Sequence, residues 1–207
     1  MKVTYELYPL WLRIWHWSNV VGFLVLIVTG VSLHFATPDA MLIPFNSARV
    51  LHNIFGIALS IGWLIFLLGN FKQGNIIHYK LRLKGLLQRL IKQAMFYGVG
   101  IFKGDHHPFP STAHCKFNPL QQVTYLFVMF VAMPGLIISG LLFFFPQVAP
   151  EQFLDMDGLW IVGVLHYVIG VFLVAFMIGH IYLATAGEKV TSEFKKMLFG
   201  SKLTEER

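Results

Sequence analysis

The sequence contains little cysteine and little charge. Cys115 is the only cysteine among 207 residues, which excludes a disulfide within the chain and a zinc site built from several cysteines. Charged residues occupy 13% of positions, about half the share of a soluble domain, while hydrophobic residues occupy 56%. We therefore interpret the chain as a membrane protein, and its net charge of +6 as a matter of membrane topology rather than of nucleic-acid binding.

Four stretches carry no charged residue at all: 14–38, 50–71, 117–150 and 158–187. Each is longer than the roughly 20 residues that a helix needs to cross a bilayer. The first is too long and too aromatic for a cleavable signal peptide, so we expect a retained helix. The predicted fold class is an all-α integral membrane protein. One domain over residues 1–207 forms a four-transmembrane-helix bundle, with helices at about 12–36, 48–71, 118–146 and 158–186.

The long loop between the second and third helices has a helical pattern of its own. Its Leu and Ile residues share one face and its Lys and Arg residues the other; the apolar set is Leu83, Leu86, Leu87, Leu90 and Ile91. This pattern predicts an amphipathic helix over about 78–103 that lies in the headgroup plane on the cytoplasmic side. A solvated cytoplasmic helix is the alternative.

Lys and Arg are unevenly distributed between the loops. Of the 16, two precede the core of the first helix, eight lie in residues 72–116 and five follow residue 187. The first loop holds only Arg49, and the third holds acidic residues instead: Glu151, Asp155 and Asp157. By the positive-inside rule, both termini and the second loop are expected in the cytoplasm. The predicted location is a bacterial inner membrane.

Four of the histidines within the predicted spans form two sets at matching depths: His16, His52, His166 and His180. Ionisable side chains in a membrane are costly and usually functional. His166 and His180 are fourteen residues apart in the fourth helix, which is about 21 Å of rise, and they face nearly the same way. With the expected topology, His16 and His180 lie at an inner depth, and His52 and His166 at an outer depth. A hydrogen-bonded packing role is the alternative for any one of them.

Each depth-matched pair can supply both axial ligands of a haem iron, with the macrocycle buried between helices. Because the chain has no CxxCH motif, we expect non-covalent haem b, two groups in all. His34 lies eighteen residues after His16, on the same helix face, and could replace His52 as the outer ligand.

The residues around the histidines favour the same hypothesis. LHNIFG (51–56) and LHYVIG (165–170) place Gly56 and Gly170 one turn after a histidine, where a flat macrocycle can approach the backbone. Arg13 and Arg49 each precede a histidine by three residues, a spacing that allows them to bind haem propionates. The alternative for both arginines is snorkelling to the membrane interface.

The chain resembles the four-helix dihaem cytochrome b subunits of formate dehydrogenases, nickel-iron hydrogenases and thiosulfate or polysulfide reductases. The motifs that carry the resemblance are RIWHWSN, LHNIFG, HPFPSTAHCKFNPLQQ and the histidine spacing in the fourth helix. The resemblance implies the ligand pairs His16 with His180 and His52 with His166. It also implies a quinone site near the inner haem, formed in part by a Lys-aromatic-Asn segment.

That segment is Lys116-Phe117-Asn118 in this chain, with Phe117 where a tyrosine is expected. Asn118 is the candidate to hydrogen-bond a quinone oxygen, beside His180; a helix cap is the alternative role for Asn118. Four nearby side chains have the residue types of a metal site: His106, His107, His114 and Cys115. The three histidines could instead carry protons.

The function that follows is a membrane-anchoring electron-transfer subunit of a respiratory oxidoreductase complex. It would link a quinone or quinol near the cytoplasmic face, with quinone reductase or quinol oxidase activity left open, to a redox partner outside. The expected partner is an iron-sulfur protein or a multihaem cytochrome c, docked at the short outer loops. Two alternatives are a free-standing cytochrome b561-type protein acting on a small diffusible substrate, and a transporter or proton channel that uses its histidines as relays without haem.

Overall fold

The structure is a computed structural model, and it describes residues 2–37, 40–112, 115–187 and 189–206. Its helices are α1 Leu10–His34, α2 Phe45–Lys72, α3 Leu86–Met95, α4 Ile101–Lys103, α5 Pro119–Phe127, α6 Met133–Phe144, α7 Gly158–Ala184 and α8 Ser192–Phe199. Its strands are β1 Lys2–Glu6, β2 Gln152–Phe153, β3 Met156–Asp157 and β4 Lys202–Glu206. Short 3-10 helices cover Asn75–Tyr79 and Pro146–Val148.

Four helices are long and apolar enough to cross a membrane: Leu10–His34, Phe45–Lys72, Pro119–Phe144 and Gly158–Ala184. Within these spans the backbone amides after the first turn can bond inside their own helix, except at Pro134, as a hydrocarbon surrounding requires. Many of their large apolar side chains are exposed on the isolated chain, as expected of surfaces that face lipid. The predicted fold class, an all-α membrane protein with four spanning helices, is confirmed.

The third span is not a continuous α-helix. A π-helical turn over Val128–Ala132 separates α5 from α6, and Pro134 lies at the start of α6. Proline has no amide hydrogen and its ring collides with the carbonyl four residues earlier, so the helix widens by one residue at this point. The span therefore adapts to Pro134 without ending.

The amphipathic region differs from its predicted bounds of about 78–103. The α-helix α3 begins only at Leu86, after Gly85 in the left-handed conformation at φ 65°, and it continues through a π-helical turn over Phe96–Gly100 into α4. Arg89, in the first turn of α3, folds back and donates to the Lys84 carbonyl at 2.6 Å. Leu87, Ile91 and Met95 follow each other at intervals of four residues and are exposed, as a face that rests on lipid requires.

The two ends of the chain pair with each other. β1 and β4 form an antiparallel ribbon in which Lys2 lies opposite Glu206 and Glu6 opposite Lys202. Because adjacent strands are only about 5 Å apart, both ends must be on one side of the membrane. An even number of spans gives the same result.

The chain divides into two compact units. The first comprises residues 1–13, 69–131 and 178–207, and the second comprises residues 14–68 and 132–177. Buried apolar side chains of the first unit include Leu7, Leu12, Tyr79 and Val128. Those of the second include Leu59, Phe66, Met133, Val162 and Leu173. His52 and His166 both belong to the second unit.

Candidate functional site

His52 is held by two consecutive residues of α1. The Thr29 hydroxyl lies 2.9 Å from His52 Nδ1, and Thr29 is itself only 1% exposed. The next residue is Gly30, where a Cβ atom would come within 3.4 Å of His52 Cε1. The imidazole therefore packs closely against α1 at Gly30, and α1 supplies both this contact and one hydrogen bond.

His166 is held in the same way by α6. The Ser139 hydroxyl lies 2.9 Å from His166 Nδ1, and a Cβ atom on Gly140 would come within 3.4 Å of His166 Cε1. The edge of the Phe143 ring covers another side of the imidazole, at 5.9 Å between ring centres. The two histidines therefore have matching surroundings on different helices.

The structure brings His52 and His166 together, with ring centres 6.3 Å apart and ring planes inclined by 64°. A ring nitrogen binds a metal at about 2 Å, so two imidazoles on opposite sides of one metal have ring centres about 6 Å apart. The pair thus fits a metal with two axial imidazoles. Within the described part of the chain no group of three His, Cys, Asp or Glu side chains could hold a metal ion.

His34 has a different position. It is exposed, stacks on Tyr167 with ring centres 4.4 Å apart and planes at 15°, and also contacts Phe35 edge to face. The geometry thus places His52 beside His166 and His34 against Tyr167. This arrangement favours His52 over His34 as the partner of His166.

Gly56 and Gly170 lie one turn beyond the two histidines in α2 and α7. A Cβ atom built on either glycine meets no other described atom within 4 Å. Protein packing therefore does not account for either glycine. The role predicted for both residues, room for a flat ligand beside the backbone, stays a prediction.

Arg13 and Arg49 both make contacts within the protein. Arg13 donates through Nη1 to the Leu198 carbonyl at 2.7 Å, at the end of α8. Arg49 is exposed and donates through Nη2 to Asn46 Oδ1 at 2.9 Å. Each guanidinium has further N–H groups that these bonds do not use, so the predicted propionate contacts remain predictions.

His180 belongs to the first unit and His16 to the second. The Tyr125 hydroxyl lies 3.3 Å from His180 Nδ1, so His180 also has a hydroxyl at the nitrogen that a metal would not use. His16 contacts Trp17 edge to face, with ring centres 5.3 Å apart. The pairing of His16 with His180 stays a prediction.

Asn118 caps α5. Its Oδ1 accepts from the Gln121 amide at 2.9 Å, and its own amide donates to Gln121 Oε1 at 3.1 Å, which forms a reciprocal capping box. Its Nδ2 donates to the Tyr97 hydroxyl at 2.8 Å. One hydrogen of Nδ2 remains for another acceptor, so the cap and the predicted quinone contact are compatible.

Lys116 is a buried base two residues before Asn118. It is 2% exposed, its Nζ has no hydrogen-bond partner among the described residues, and it lies 4.3 Å from the centre of the Tyr8 ring. Burial lowers the pKa of Lys116 to about 7, because the ammonium loses its hydration. Burial also raises the pKa of Tyr97, so that its hydroxyl stays protonated at neutral pH.

The loop before α5 shows local bonding instead of a metal site in its described part. His107 Nδ1 accepts from the Phe109 amide at 3.2 Å, and Cys115 Sγ donates to the Phe117 carbonyl at 3.3 Å. His114 lies outside the described residues. Burial lowers the pKa of His107, which favours its neutral form.

Comparison with known proteins identifies the family of this chain. The model of the family described as prokaryotic cytochrome b561 matches residues 7–200. This chain belongs to that family.

Two relatives differ in their sequence identity to this chain. "Putative cytochrome YdhU" from Escherichia coli (strain K12) is 39% identical over 194 residues, which is 94% of this chain and 73% of that protein. "Formate dehydrogenase, nitrate-inducible, cytochrome b556(Fdn) subunit" from Escherichia coli (strain K12) is 25% identical over 175 residues, 83% of this chain and 73% of that protein. The suspected relationship to cytochrome b membrane subunits is thereby confirmed.

Family membership makes this cytochrome b561 a multi-pass membrane protein of electron transport that uses haem b. The residues around His52 and His166 fit haem b. His52 and His166 have the separation of two axial ligands, each has its Nδ1 bonded to a hydroxyl, and Gly56 and Gly170 leave room beside them. A hydrogen bond at Nδ1 leaves Nε2 for the iron.

Sequence reasoning missed Thr29 and Ser139. A hydroxyl residue in a membrane helix usually donates to a carbonyl of its own helix, and both residues do so. The sequence therefore offered no reason to expect a second bond from either hydroxyl to a histidine. A signal was present nonetheless. Thr29-Gly30 and Ser139-Gly140 are the same type of dipeptide, one in the first span and one in the third, just as the two Leu-His-x-x-x-Gly motifs lie in the second and fourth.

Proposed function

We propose that this cytochrome b561 is the dihaem membrane subunit of a respiratory oxidoreductase complex in a bacterial inner membrane. It carries electrons between a quinone site near the cytoplasmic face and a redox partner on the outer side. The observation that carries the proposal is the 6.3 Å pairing of His52 with His166, in surroundings that repeat from one helix pair to the other. A relative named as a formate dehydrogenase cytochrome subunit supports assembly into a larger enzyme.

Four histidines hold two haem b groups in this proposal. His52 and His166 bind the outer group and His16 and His180 the inner one, each through a neutral imidazole nitrogen. When bound, haem b supplies reversible one-electron transfer. The surrounding apolar helices keep water away from both sites, and Arg13 and Arg49 neutralise propionate charge at the two membrane interfaces.

Asn118 and Lys116 serve the quinone. Reduction of a quinone to a quinol takes up two electrons and two protons, so the site must both orient the quinone oxygen and exchange protons. The free hydrogen of Asn118 Nδ2 donates to that oxygen, while the bond to Tyr97 fixes the amide. Lys116, with its pKa lowered to about 7, can hold or release a proton at neutral pH.

The partner docks at the loop between α6 and α7. Phe153 and Leu154 are exposed there, in and beside a hairpin in which β2 pairs with β3, and Glu151 and Asp155 are exposed with them. Leu154 has φ 53°, an unfavourable conformation for a branched side chain, and it is 73% exposed. An exposed leucine held at a strained turn favours a contact with another protein, and the carboxylates around it favour a basic partner surface.

The orientation follows from charge. The loop of residues 72–116 and the paired termini carry most of the basic residues and thus lie in the cytoplasm. The acidic loop between α6 and α7 lies outside. This orientation puts Asn118 on the cytoplasmic side, where quinone protons exchange with the cytoplasm.

The decisive experiment is purification of the affinity-tagged cytochrome from its native membrane in a mild detergent. The proposal predicts a stoichiometric subunit with iron-sulfur clusters or c-type haems, whose cofactors exchange electrons with quinol in the intact complex and no longer do so in the His52→Ala variant. A cytochrome that purifies without a subunit and still reacts with a small diffusible oxidant or reductant would contradict the proposal and support the free-standing alternative.

A further inference from the structure

The surroundings of His52 and His166 repeat to within 0.1 Å. The hydroxyl–Nδ1 distance is 2.9 Å at both sites. The Cβ positions of Gly30 and Gly140 are both 3.4 Å from Cε1 and 3.9 Å from Nδ1 of the adjacent ring. Four side chains on four different spans thus produce one local geometry twice, which ordinary core packing does not require.

The direction of both hydrogen bonds follows from counting protons. A hydroxyl has one hydrogen to donate. Thr29 Oγ1 donates to the Val25 carbonyl at 2.7 Å, and Ser139 Oγ donates to the Gly135 carbonyl at 2.7 Å. With that hydrogen used, each oxygen can only accept from the imidazole, so each histidine carries its proton on Nδ1.

This proton position matters for metal binding. A neutral imidazole with hydrogen on Nδ1 has its free lone pair on Nε2, ready for iron, before any metal is bound. Thr29 and Ser139 are 1% and 5% exposed, so water cannot take over the acceptor role at either site. Because each hydroxyl also donates to a carbonyl, its oxygen becomes a stronger acceptor.

We propose that Thr29 and Ser139 are positioning residues of the outer haem, which fix the tautomer and ring orientation of its two ligands and lower its reduction potential. The proposal rests on the assignment of His52 and His166 as ligands in the proposed function. An acceptor at Nδ1 makes Nε2 more electron-rich, and an electron-rich ligand stabilises the oxidised iron. Two buried hydroxyls thereby tune the potential of the outer haem.

The test is a redox titration of the purified haem-loaded cytochrome, followed in its visible spectrum, with Thr29→Val and Ser139→Ala. His52→Ala first identifies which spectral component belongs to the outer haem. Both hydroxyl variants are expected to raise the potential of that component and leave the other component unchanged, and the double variant is expected to shift it further. Thr29→Ser, which keeps the hydroxyl, restores the wild-type potential.

Ser60→Ala is the matched control. The Ser60 hydroxyl donates to the Gly56 carbonyl at 2.8 Å, the same bond within a helix, without a histidine in its described hydrogen bonds. It is expected to leave both potentials unchanged. Equal shifts in Ser60→Ala and Thr29→Val, or loss of both haems together in Thr29→Val, would assign the hydroxyls a general packing role and overturn the inference.

The outcomes separate this inference from the proposed function. If His52→Ala keeps every haem of the wild type, the ligand assignment itself is wrong. If His52→Ala loses one haem while Thr29→Val and Ser139→Ala keep it at the wild-type potential, the ligands stand and the positioning role of the hydroxyls is wrong.

Discussion

The imidazole rings of His52 and His166 lie with their centres 6.3 Å apart, although 113 residues and a long cytoplasmic-side loop separate them in the sequence. Each ring rests on a glycine and bonds a hydroxyl of the preceding span. Burying two imidazoles this closely is unfavourable unless their polar atoms are satisfied. A metal held by both rings would satisfy them.

Replacement of His52 tests that pair most simply. His52→Ala removes one of two axial ligands, so we expect the haem content to fall from two to one per chain, and His166→Ala should lose the same spectral component. His34→Ala is the control, because His34 is exposed and stacks on Tyr167. A pyridine haemochrome assay measures the haem content of each variant. Retention of two haems in His52→Ala together with loss of one in His34→Ala would reverse the assignment.

The two roles of Asn118 can be separated with its capping partner. Gln121→Ala removes one bond of the capping box and leaves the Asn118–Tyr97 bond, whereas Asn118→Ala removes the cap and the proposed quinone donor. A cap costs about 1 kcal/mol when lost. We expect both variants to melt at a lower temperature, but only Asn118→Ala to raise the KM for a soluble quinol strongly. Equal KM values in the two variants would leave Asn118 as a cap alone.

Lys116→Met should stabilise the protein in a pH-dependent manner. The folded-state pKa of Lys116 is about 7, below its ordinary value of 10.5. The unfolded state therefore binds more protons between these values, and the free energy of unfolding rises as pH increases from about 7 towards 10.5. Below about pH 7 the full cost of burying the charge is present, so Lys116→Met gains most there.

We expect the melting temperature of Lys116→Met in detergent to exceed that of the wild type by several degrees at pH 6 and by less at pH 9. The exposed Lys92, which lies over the Phe109 ring, supplies the control Lys92→Met. A gain that is the same at pH 6 and pH 9, or that appears equally in Lys92→Met, would show that burial of the Lys116 charge is not its cause.

Charge reversal in the loop between α6 and α7 tests the docking side. Asp155→Lys places a basic residue among Glu151 and Asp157 and should weaken association with a basic partner, most clearly at low salt. Asp157 is left intact because its carboxylate accepts from the Trp160 amide at 2.9 Å and so caps α7. Asp105→Lys, in the loop of the opposite side, is the control. Recovery of the partner at wild-type yield from Asp155→Lys membranes would argue against this docking surface.

The four spanning helices could be predicted because uncharged runs of sufficient length leave a chain no alternative in a bilayer. The π-helical turn at Val128–Ala132 could not be predicted, although the sequence shows Pro134 two residues after it. Proline can kink, break or widen a helix, and the choice depends on neighbours that the sequence does not identify. The start of α3 was missed for a similar reason, since Gly85 permits a left-handed turn without requiring one.

The pairing of β1 with β4 was also beyond sequence reasoning, because five-residue strands at opposite ends of a chain carry no signal for each other. Within the site, the histidines could be predicted since ionisable residues stand out in apolar segments. Thr29 and Ser139 were missed because a hydroxyl that bonds its own helix needs no second partner, and only the repeated hydroxyl–glycine dipeptide indicated them. The bond from Arg13 to the Leu198 carbonyl could not be predicted either, because no sequence motif connects these two residues.

The most direct test of the central claim is the amount of haem b per chain in the detergent-purified wild-type cytochrome, from pyridine haemochrome absorbance against quantitative amino-acid analysis. We expect two haem b per chain, reduced in two potential steps. One haem per chain would contradict the dihaem arrangement, and well-folded protein that binds none when supplied with haem would contradict haem ligation by these histidines.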